Sequence, residues 1–402
     1  MRLVVIGDVG VTDDMMHIGD EAMFEALLDE LRPRGAADIV ALSRAPAETA
    51  HRYGVSAVRP IGFRGDRSEM DARFAEVRAF LSGHDALPEH DALRAVVEAV
   101  RSADAVAVAG GGNMASTWPM HVYERAALGL IAERYGRPLV VTGQTLGPRL
   151  TVADRDLLGA LLRGARLVGV RERASERLAL ELGVERAALR AGLDDASFLG
   201  GDDAEVRTPG PATTPFLLVS LSGYLGDQDR GTAVTGIARA LDDLAAETGL
   251  NVVFHPHFGS LDADVLAGDE VLHADIASAM RAPSTLRGPG TPRSAAGLAR
   301  GAAMLVTSRY HPSVFATPAG VPVAALTVDD YTAVKLGGAT AWWGREHGVI
   351  PLADVARPSG GAALRAVWAA RDAARAESAL LRPELRRDAS TWWDRIAEAL
   401  GS

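Results

Sequence analysis

Residues 104–113 read Asp-Ala-Val-Ala-Val-Ala-Gly-Gly-Gly-Asn. The small and β-branched residues predict a short buried strand at 104–108, and the glycines predict a tight turn where that strand ends. The same order, a short apolar run followed by glycine or polar residues and then a helical pattern, recurs along the chain. Strands that alternate with helices indicate right-handed βαβ units and a parallel sheet.

Working outward from this stretch, the alternation covers two halves of the chain. In the first half, strands are predicted at 3–6, 38–42, 104–108, 139–142 and 167–170, and helices at 21–31, 121–135, 153–162 and 174–182. In the second half, strands are predicted at 216–221, 251–254, 304–307 and 322–326, and helices at 235–248 and 313–319. Residues 362–400 have a helical pattern, and Pro383 predicts a break in it.

These patterns predict an α/β protein with two Rossmann-like domains. Residues 200–215 are rich in Gly, Pro and Thr and form the predicted linker. The expected domains are residues 1–205 and 214–360, and residues 361–402 are expected to be helices that pack back across both. Ligands bind outside the carboxyl ends of parallel strands, so two facing halves would share one cleft.

Composition excludes several classes of protein. The chain has 402 residues, of which 48% are hydrophobic, so it can form a large core. A net charge of −10 argues against a nucleic-acid partner. The absence of cysteine excludes disulfides and thiolate metal sites. We find no leader peptide or membrane-spanning pattern, so we expect a cytoplasmic protein with at most peripheral membrane contact.

Lys335 is the only lysine among 42 basic residues. A compact, titratable amine differs from a planar, permanently charged guanidinium. Lys335 follows a predicted strand, where it is either functional or a surface residue that escaped replacement by arginine.

Several candidate residues follow predicted strands of the first half. Gly111, Gly112 and Asn113 form either an anion-binding loop or a tight turn, and their spacing matches neither the dinucleotide fingerprint nor a P-loop. Asp8 follows the first strand. His17, Asp20 and Glu21 open the first helix, where the two carboxylates also suit the helix dipole.

Further polar residues follow the later strands of the first half. They are Gln144, Arg171 and Arg173. An arginine at the carboxyl end of a strand is a suitable anion anchor. The alternative for Arg171 is a surface ion pair with Glu172.

In the second half, the candidate residues follow two strands. His255 and His257 follow the strand at 251–254 and predict polar contacts rather than a metal site, because no third ligand is evident. Ser308, Arg309 and His311 follow the strand at 304–307 and combine a fixed cation with a titratable acid–base group. Motifs of serine hydrolases, zinc proteases and kinases are missing.

Taken together, these blocks resemble the polysaccharide pyruvyltransferase family. The resemblance spans about residues 1–340 and depends on the order of the blocks, which are Gly19-Asp20-Glu21, Gly110-Gly111-Gly112-Asn113, Gly143-Gln144 with Gly147-Pro148, Val170-Arg171-Glu172 with Ser175, Asp194 to Phe198, and Ser308 to His311 followed by Gly320-Val321-Pro322. It implies a GT-B-like fold and the transfer of pyruvate, as a ketal, from phosphoenolpyruvate to a sugar. No cofactor or metal is implied beyond that co-substrate.

The resemblance also implies roles for the candidate residues. It makes His311 the catalytic histidine and makes Arg171 and Arg309 donor-binding arginines, and it places Lys335 near a family lysine that follows the last strand. We expect Arg309 and Lys335 to assist His311 in catalysis. Donor-binding residues are then Arg171, Arg173, Gln144, His255, His257 and Ser308. The loop residues Asp8, His17, Asp20, Glu21, Gly111, Gly112 and Asn113 are assigned to the acceptor side. The first loop, residues 7–19, is longer than usual and carries His17 where an asparagine is common, so the acceptor remains open between a glycan, a glycolipid and a glycosylated metabolite.

Two other functions are compatible with such a fold. One is a nucleotide-sugar glycosyltransferase, and the other is a non-catalytic sugar-binding protein.

Overall fold

A computed structural model describes residues 1–201 and 215–401, so most of the predicted linker lies outside the described residues. The chain divides into two compact units. The N-terminal unit contains Met1–Thr12, Met23–Asp195 and Asp388–Ser402, and the C-terminal unit contains Asp13–Ala22 and Ala196–Arg387. Asp13–Ala22 is therefore part of the C-terminal unit and Asp388–Ser402 is part of the N-terminal unit, although each is distant in sequence from the rest of that unit.

Most of the strands are short, and the inner strands of the two large sheets are largely buried. They are β1 (Arg2–Ile6), β2 (Met15–His17), β3 (Asp38–Leu42), β4 (Ser56–Val58), β5 (Ala105–Val108), β6 (Gly111–Met114), β7 (Leu139–Leu146), β8 (Leu167–Val170), β9 (Leu189–Ala191), β10 (Phe216–Ser220), β11 (Asn251–Phe254), β12 (Phe258–Ser260), β13 (Ser284–Leu286), β14 (Met304–Thr307), β15 (Val323–Thr327) and β16 (Val349–Pro351).

The helices connect these strands. They are α1 (Ile18–Leu31), α2 (Pro46–Tyr53), α3 (Arg67–Leu81), α4 (Ala92–Ser102), α5 (Pro119–Arg134), α6 (Val152–Gly164), α7 (Arg173–Glu181), α8 (Arg230–Thr248), α9 (Asp269–Ala279), α10 (Pro292–Gly301), α11 (Tyr310–Ala316), α12 (Asp330–Ala341), α13 (Leu352–Ala356), α14 (Gly360–Ala369) and α15 (Arg371–Gly401). Several begin at side-chain caps: Asp91 caps α4, Thr151 caps α6 and Asp329 caps α12.

The sheet of the N-terminal unit is parallel, in the order β4-β3-β1-β5-β7-β8-β9, with β6 paired to β7. The order reverses between β1 and β5. Leu3, Val4 and Val5 of β1 are fully buried, as expected for a parallel strand that is covered on both faces.

The main sheet of the C-terminal unit repeats this plan. Its parallel strands follow the order β13-β11-β10-β14-β15-β16, and the order reverses between β10 and β14. A separate antiparallel ribbon joins β2 to β12, with His17 opposite Phe258. This ribbon explains why Asp13–Ala22 belongs to the C-terminal unit.

In a doubly wound sheet, the loops on either side of the reversal diverge and leave a crevice at the carboxyl ends of the strands. In the N-terminal unit these loops follow β1 and β5 and carry Asp8 and Gly110. In the C-terminal unit they follow β10 and β14 and carry Ser222 and Arg309. Each unit therefore places polar residues at its own reversal point.

The predicted break at Pro383 is wrong, because α15 runs through this proline. The missing N–H of a proline costs one helical hydrogen bond, but it does not end a helix whose flanks are well anchored. Before the proline, the Ser378 hydroxyl donates to the Thr317 carbonyl at 2.7 Å. After it, Trp392 and Trp393 are buried in the core of the N-terminal unit.

Candidate active site

At the reversal point of the C-terminal unit, the hydroxyl groups of Thr307 and Ser308 bridge the ends of β10 and β14. Thr307, the last residue of β14, donates from its hydroxyl to the Ser220 carbonyl at 2.7 Å and accepts from the Arg309 amide at 2.9 Å. The hydroxyl of Ser308 accepts from the Ser222 amide at 2.8 Å. These bonds tie the ends of β10 and β14 together and fix the start of α11, which carries His311.

Arg309 is held by Asp269, the first residue of α9. Its Nε donates to Asp269 Oδ2 at 2.9 Å, and its Nη2 donates to Oδ1. The carboxylate is fully buried and also accepts from the amides of His257 and Phe258, at 3.1 and 3.0 Å. This network sets the orientation of the guanidinium, because two parallel bonds to one carboxylate define its plane.

Sequence reasoning missed Asp269. One signal could have indicated it, because the triplet Gly-Asp-Glu of residues 19–21 occurs again at residues 268–270.

His311 lies against the backbone of Gly19. A Cβ atom at position 19 would lie 2.7 Å from His311 Cε1 and closer still to Nδ1, so only glycine fits beside the ring. The imidazole also meets the ring of Tyr310 edge-on, with centroids 5.1 Å apart, and the ring of Phe315 at 5.9 Å. Gly19, the first residue of the Gly-Asp-Glu segment at 19–21, therefore forms part of the wall around His311.

The β2–β12 ribbon brings that segment into place. His17 stacks on Phe258 with centroids 4.0 Å apart, and the Ile18 amide donates to the His257 carbonyl at 3.0 Å. Asp20 and Glu21 follow in the first turn of α1. His17, Gly19 and His257 are thus brought together with His311 in one unit.

His255 and His257 are buried beside this site. Their rings meet edge-on at 5.3 Å. Burial lowers the pKa of His255 to about 4. Burial and the nearby His255, His311 and Arg309 hold the pKa of His257 well below its usual value, so this ring is neutral at pH 7. His257 Nδ1 lies 3.1 Å from the Ser220 hydroxyl, while its Nε2 has no hydrogen-bond partner among the described residues.

Lys335 lies on α12, between two tyrosine rings. Its Nζ donates to the Tyr331 hydroxyl at 3.0 Å and lies 4.7 Å from the centre of that ring. It also lies 5.3 Å from the ring of Tyr310, the neighbour of His311. Such contacts stabilise an ammonium through the negative faces of the rings. Asp329 caps α12 by accepting from the Thr332 amide at 2.8 Å.

In the N-terminal unit, the predicted donor-binding residues have different environments. Arg171 is buried and donates to Asp194 at 2.7 Å and to Thr145 at 2.8 Å. Arg173 is exposed and pairs with Glu176 at 3.0 Å. Gln144 is buried and donates to the Ala109 carbonyl. Arg171 thus ties the end of β8 to β7 and to the segment after β9, Gln144 ties β7 to the residue after β5, and the Arg173 pair stays within α7. A donor contact for any of the three stays a prediction.

Asp8 forms a second charged cluster at the reversal point of the N-terminal unit. Its carboxylate accepts from Asn113 at 2.9 Å and pairs with His121 at 2.9 Å and with Arg125 at 2.5 Å. Burial alone would raise the pKa of Asp8, but Arg125 and His121 outweigh it and hold the pKa well below its usual value. Asp8 adopts a left-handed φ of 53°, which is uncommon outside glycine.

Asp8 and Asn113 were predicted from the sequence, whereas His121 and Arg125 were missed. Both lie on α5, where nothing in the helical pattern distinguishes them.

Gly111 and Gly112 lie in β6 rather than in an open loop. Gly111 is opposite Gln144 of β7. The preceding Gly110 packs against the Met23 methyl group and lies close to Asp195. Burial and the neighbouring Asp194 raise the pKa of Asp195 to about 7. The glycine-rich segment therefore permits close packing around a buried carboxyl group.

Within residues 1–201 and 215–401, no three or more His, Asp or Glu side chains are grouped so as to hold a metal ion. Over the same residues, none of the helices has the length and apolar character that would be needed to cross a bilayer.

The chain matches a family of known proteins. A family described as polysaccharide pyruvyl transferase matches residues 17–330. A comparison with curated proteins gives no significant match.

Three of the solved structures with a similar fold are described as two glycosyltransferases and a UDP-GlcNAc 2-epimerase. The glycotransferase of kitacinnamycin has a TM-score of 0.61 and 15% identity, covering 99% of each chain. UDP-GlcNAc 2-epimerase from Neisseria meningitidis has a TM-score of 0.59 and 11% identity, covering 100% of this chain and 99% of its own. The calicheamicin glycosyltransferase has a TM-score of 0.54 and 18% identity, covering 100% and 98%. At these identities the likeness shows the fold alone, and it confirms the predicted GT-B-like class.

Proposed function

Because the chain belongs to the polysaccharide pyruvyl transferase family, we propose that it transfers pyruvate from phosphoenolpyruvate to two hydroxyls of a sugar, with His311 as the acid–base group. The observation that carries this proposal is the setting of His311. Its ring lies against Gly19. Arg309, which precedes it by two positions in the sequence, is oriented by Asp269. A titratable group beside a fixed cation suits a reaction of an anionic donor.

The reaction needs proton transfers at two stages, the addition of the first hydroxyl and the closure of the ketal. A proton added to the methylene carbon of phosphoenolpyruvate makes C2 electrophilic, and a sugar hydroxyl forms a bond to C2 and loses its own proton. The C2–O bond to phosphate then breaks, phosphate leaves, and a second hydroxyl closes the ketal. One hydroxyl proton replaces the proton given to the methylene carbon, and the other leaves with phosphate. One histidine near C2 can serve both stages.

Arg309 and Lys335 supply positive charge for the donor. Asp269 uses Nε and Nη2 of Arg309, and the remaining N–H groups of the fork are suited to a carboxylate or phosphate oxygen. Lys335 is held by aromatic rings and a hydroxyl group. The negative faces of the rings favour a cation here that a bound anion can pair with, and the ring of Tyr310 contacts both Lys335 and His311.

The proposal is tested by incubating the protein with phosphoenolpyruvate and a panel of sugars, glycolipids and glycosylated metabolites. Mass spectrometry should show a product with one added pyruvate ketal, together with released phosphate. His311→Gln should lower the rate by roughly 100-fold or more. His84→Gln, which changes an exposed histidine of the N-terminal unit, is the matched control.

Two results would contradict the proposal. One is full activity of His311→Gln. The other is the consumption of a nucleotide sugar instead of phosphoenolpyruvate, which would favour a glycosyltransferase.

A further inference from the structure

The N-terminal unit contains a cavity of about 760 Å³ that the proposed chemistry does not use. It lies where β1, β3 and β4 end, and it is closed by residues of α3 and α5. Its volume lies within the range of small-molecule sites. Its walls are partly apolar, with Leu42, Ile61, Phe63 and Met120, and partly charged.

The acidic groups that line the cavity all have partners inside the unit. Asp8 is paired with Arg125 and His121. Asp91 is paired with Arg73 at 2.6 Å. Glu124 accepts from the amide of Ile61 at 2.5 Å and that of Gly62 at 3.0 Å. Asp8 and Asp91 are therefore compensated by cations, while Glu124 is hydrogen-bonded to two amides and has its pKa raised by burial, so the three carboxyl groups add little negative potential to the cavity.

Three arginines that line the same cavity are different. Arg44 follows β3, while Arg59 and Arg64 belong to the loop after β4. All three are exposed, and within the described residues none forms an ion pair. Like charges gathered without counter-ions repel one another, so the folded protein gains nothing from this arrangement alone. This group of three positive charges also stands out because the net charge of the chain is −10.

We propose that this cavity binds a phosphate-bearing part of the acceptor, with at least two negative charges, through Arg44, Arg59 and Arg64. The inference rests on the proposed function and adds the class of acceptor, a phosphorylated sugar rather than a neutral one. Guanidinium forks bind phosphate oxygens in pairs, which fixes both the position and the orientation of the ligand. Phe63 and Met120 offer an apolar surface for the attached sugar.

Isothermal titration calorimetry with inorganic pyrophosphate and with UDP tests the proposal without any need for turnover. The double variant Arg59→Gln/Arg64→Gln should bind both probes at least tenfold more weakly than the wild type. Arg177→Gln is the matched control, because Arg177 is an exposed arginine of α7 away from the cavity. Affinity should also fall as salt is added.

A third titration, with phosphoenolpyruvate, distinguishes the cavity from the donor site. We expect the double variant to bind phosphoenolpyruvate like the wild type, and Arg309→Lys to bind it more weakly. The inference is overturned if the wild type binds neither pyrophosphate nor UDP, if the double variant binds them unchanged, or if it loses phosphoenolpyruvate instead. The proposed pyruvyl transfer fails separately, if no ketal is formed or if Arg309→Lys leaves phosphoenolpyruvate binding unaltered.

Discussion

The imidazole of His311 lies against the Cα of Gly19, and the space between them excludes even a methyl group. The contact joins the start of α1 to the start of α11 within the C-terminal unit. The contact explains why residue 19, the first of the Gly-Asp-Glu segment, is a glycine.

Gly19→Ala should displace the His311 ring and lower activity by roughly 10- to 100-fold, because small errors in position cost much catalysis. The measurement is turnover with phosphoenolpyruvate, alongside the melting temperature. Gly337→Ala is the matched control, because a methyl group at this site on α12 meets nothing within 4 Å. Full activity of Gly19→Ala would show that the ring position is unimportant.

The Arg309–Asp269 pair should contribute to stability as well as to function. Asp269→Asn leaves Arg309 without its carboxylate and should lower the free energy of unfolding by roughly 2–4 kcal/mol, since breaking a buried pair is costly. Asp275→Asn breaks the exposed pair of Asp275 with Arg230 and should cost about 0–1 kcal/mol. Denaturant unfolding measures both values, and equal losses in the two variants would contradict the assignment.

His273 should make the C-terminal unit sensitive to acid. Its Nε2 accepts from the Leu221 amide at 2.9 Å, which requires a neutral ring, and burial lowers its pKa to about 4. Because the folded pKa lies below the unfolded one, stability is present above pH 6.5 and is lost as the pH falls towards 4. Melting curves between pH 7.5 and 4.5 should show this loss.

His273→Gln should have a weaker pH dependence over this range, whereas His84→Gln should follow the wild type. An unchanged slope in His273→Gln would exclude His273 as its source.

Asp195 should lower the stability of the protein as the pH rises, which is opposite to the effect of His273. Its folded pKa of about 7 lies above the unfolded value, so the folded state holds a proton that the unfolded state releases. Its contribution is therefore lost as the pH rises from about 4 to 7. The free energy of unfolding of Asp195→Asn, relative to that of the wild type, should be higher at pH 8.5 than at pH 5.5. Asp156→Asn, an exposed change on α6, should show no such gain, and equal behaviour of the two variants would count against this role.

Lys335→Arg should lower turnover about tenfold or more with little change in melting temperature. A guanidinium keeps the charge but is larger than the ammonium that lies between the rings of Tyr310 and Tyr331. Tyr331→Phe keeps the ring and removes the hydroxyl that accepts from Nζ, so its effect should be smaller. Wild-type turnover in Lys335→Arg would show that the reaction does not depend on a lysine at this position.

Much of the fold could be predicted from the sequence because its signals are local. The predicted strands at 38–42, 167–170, 251–254 and 304–307 coincide with β3, β8, β11 and β14. Apolar runs, glycine stops and helical spacing act over a few residues, so the sequence itself displays them. The same signals misjudged Pro383, because the groups that anchor α15 on either side of it are distant in sequence.

The candidate site was only partly predictable for the same reason. Position after a strand end drew attention to His311, Arg309 and Asp8, and the strand orders place these residues at the reversal points of the sheets. It could not show that Asp269 holds Arg309, that Arg125 holds Asp8, or that Arg171 is buried against Asp194.

The sequence by itself determined the alternation of strands and helices, the polar residues at the strand ends and the family. Tertiary structure decided which of those residues meet, because the order of strands in each sheet brings together loops that are far apart along the chain. Their burial then decided which charges are compensated and which, like those of Arg44, Arg59 and Arg64, have no counter-ion within the described residues.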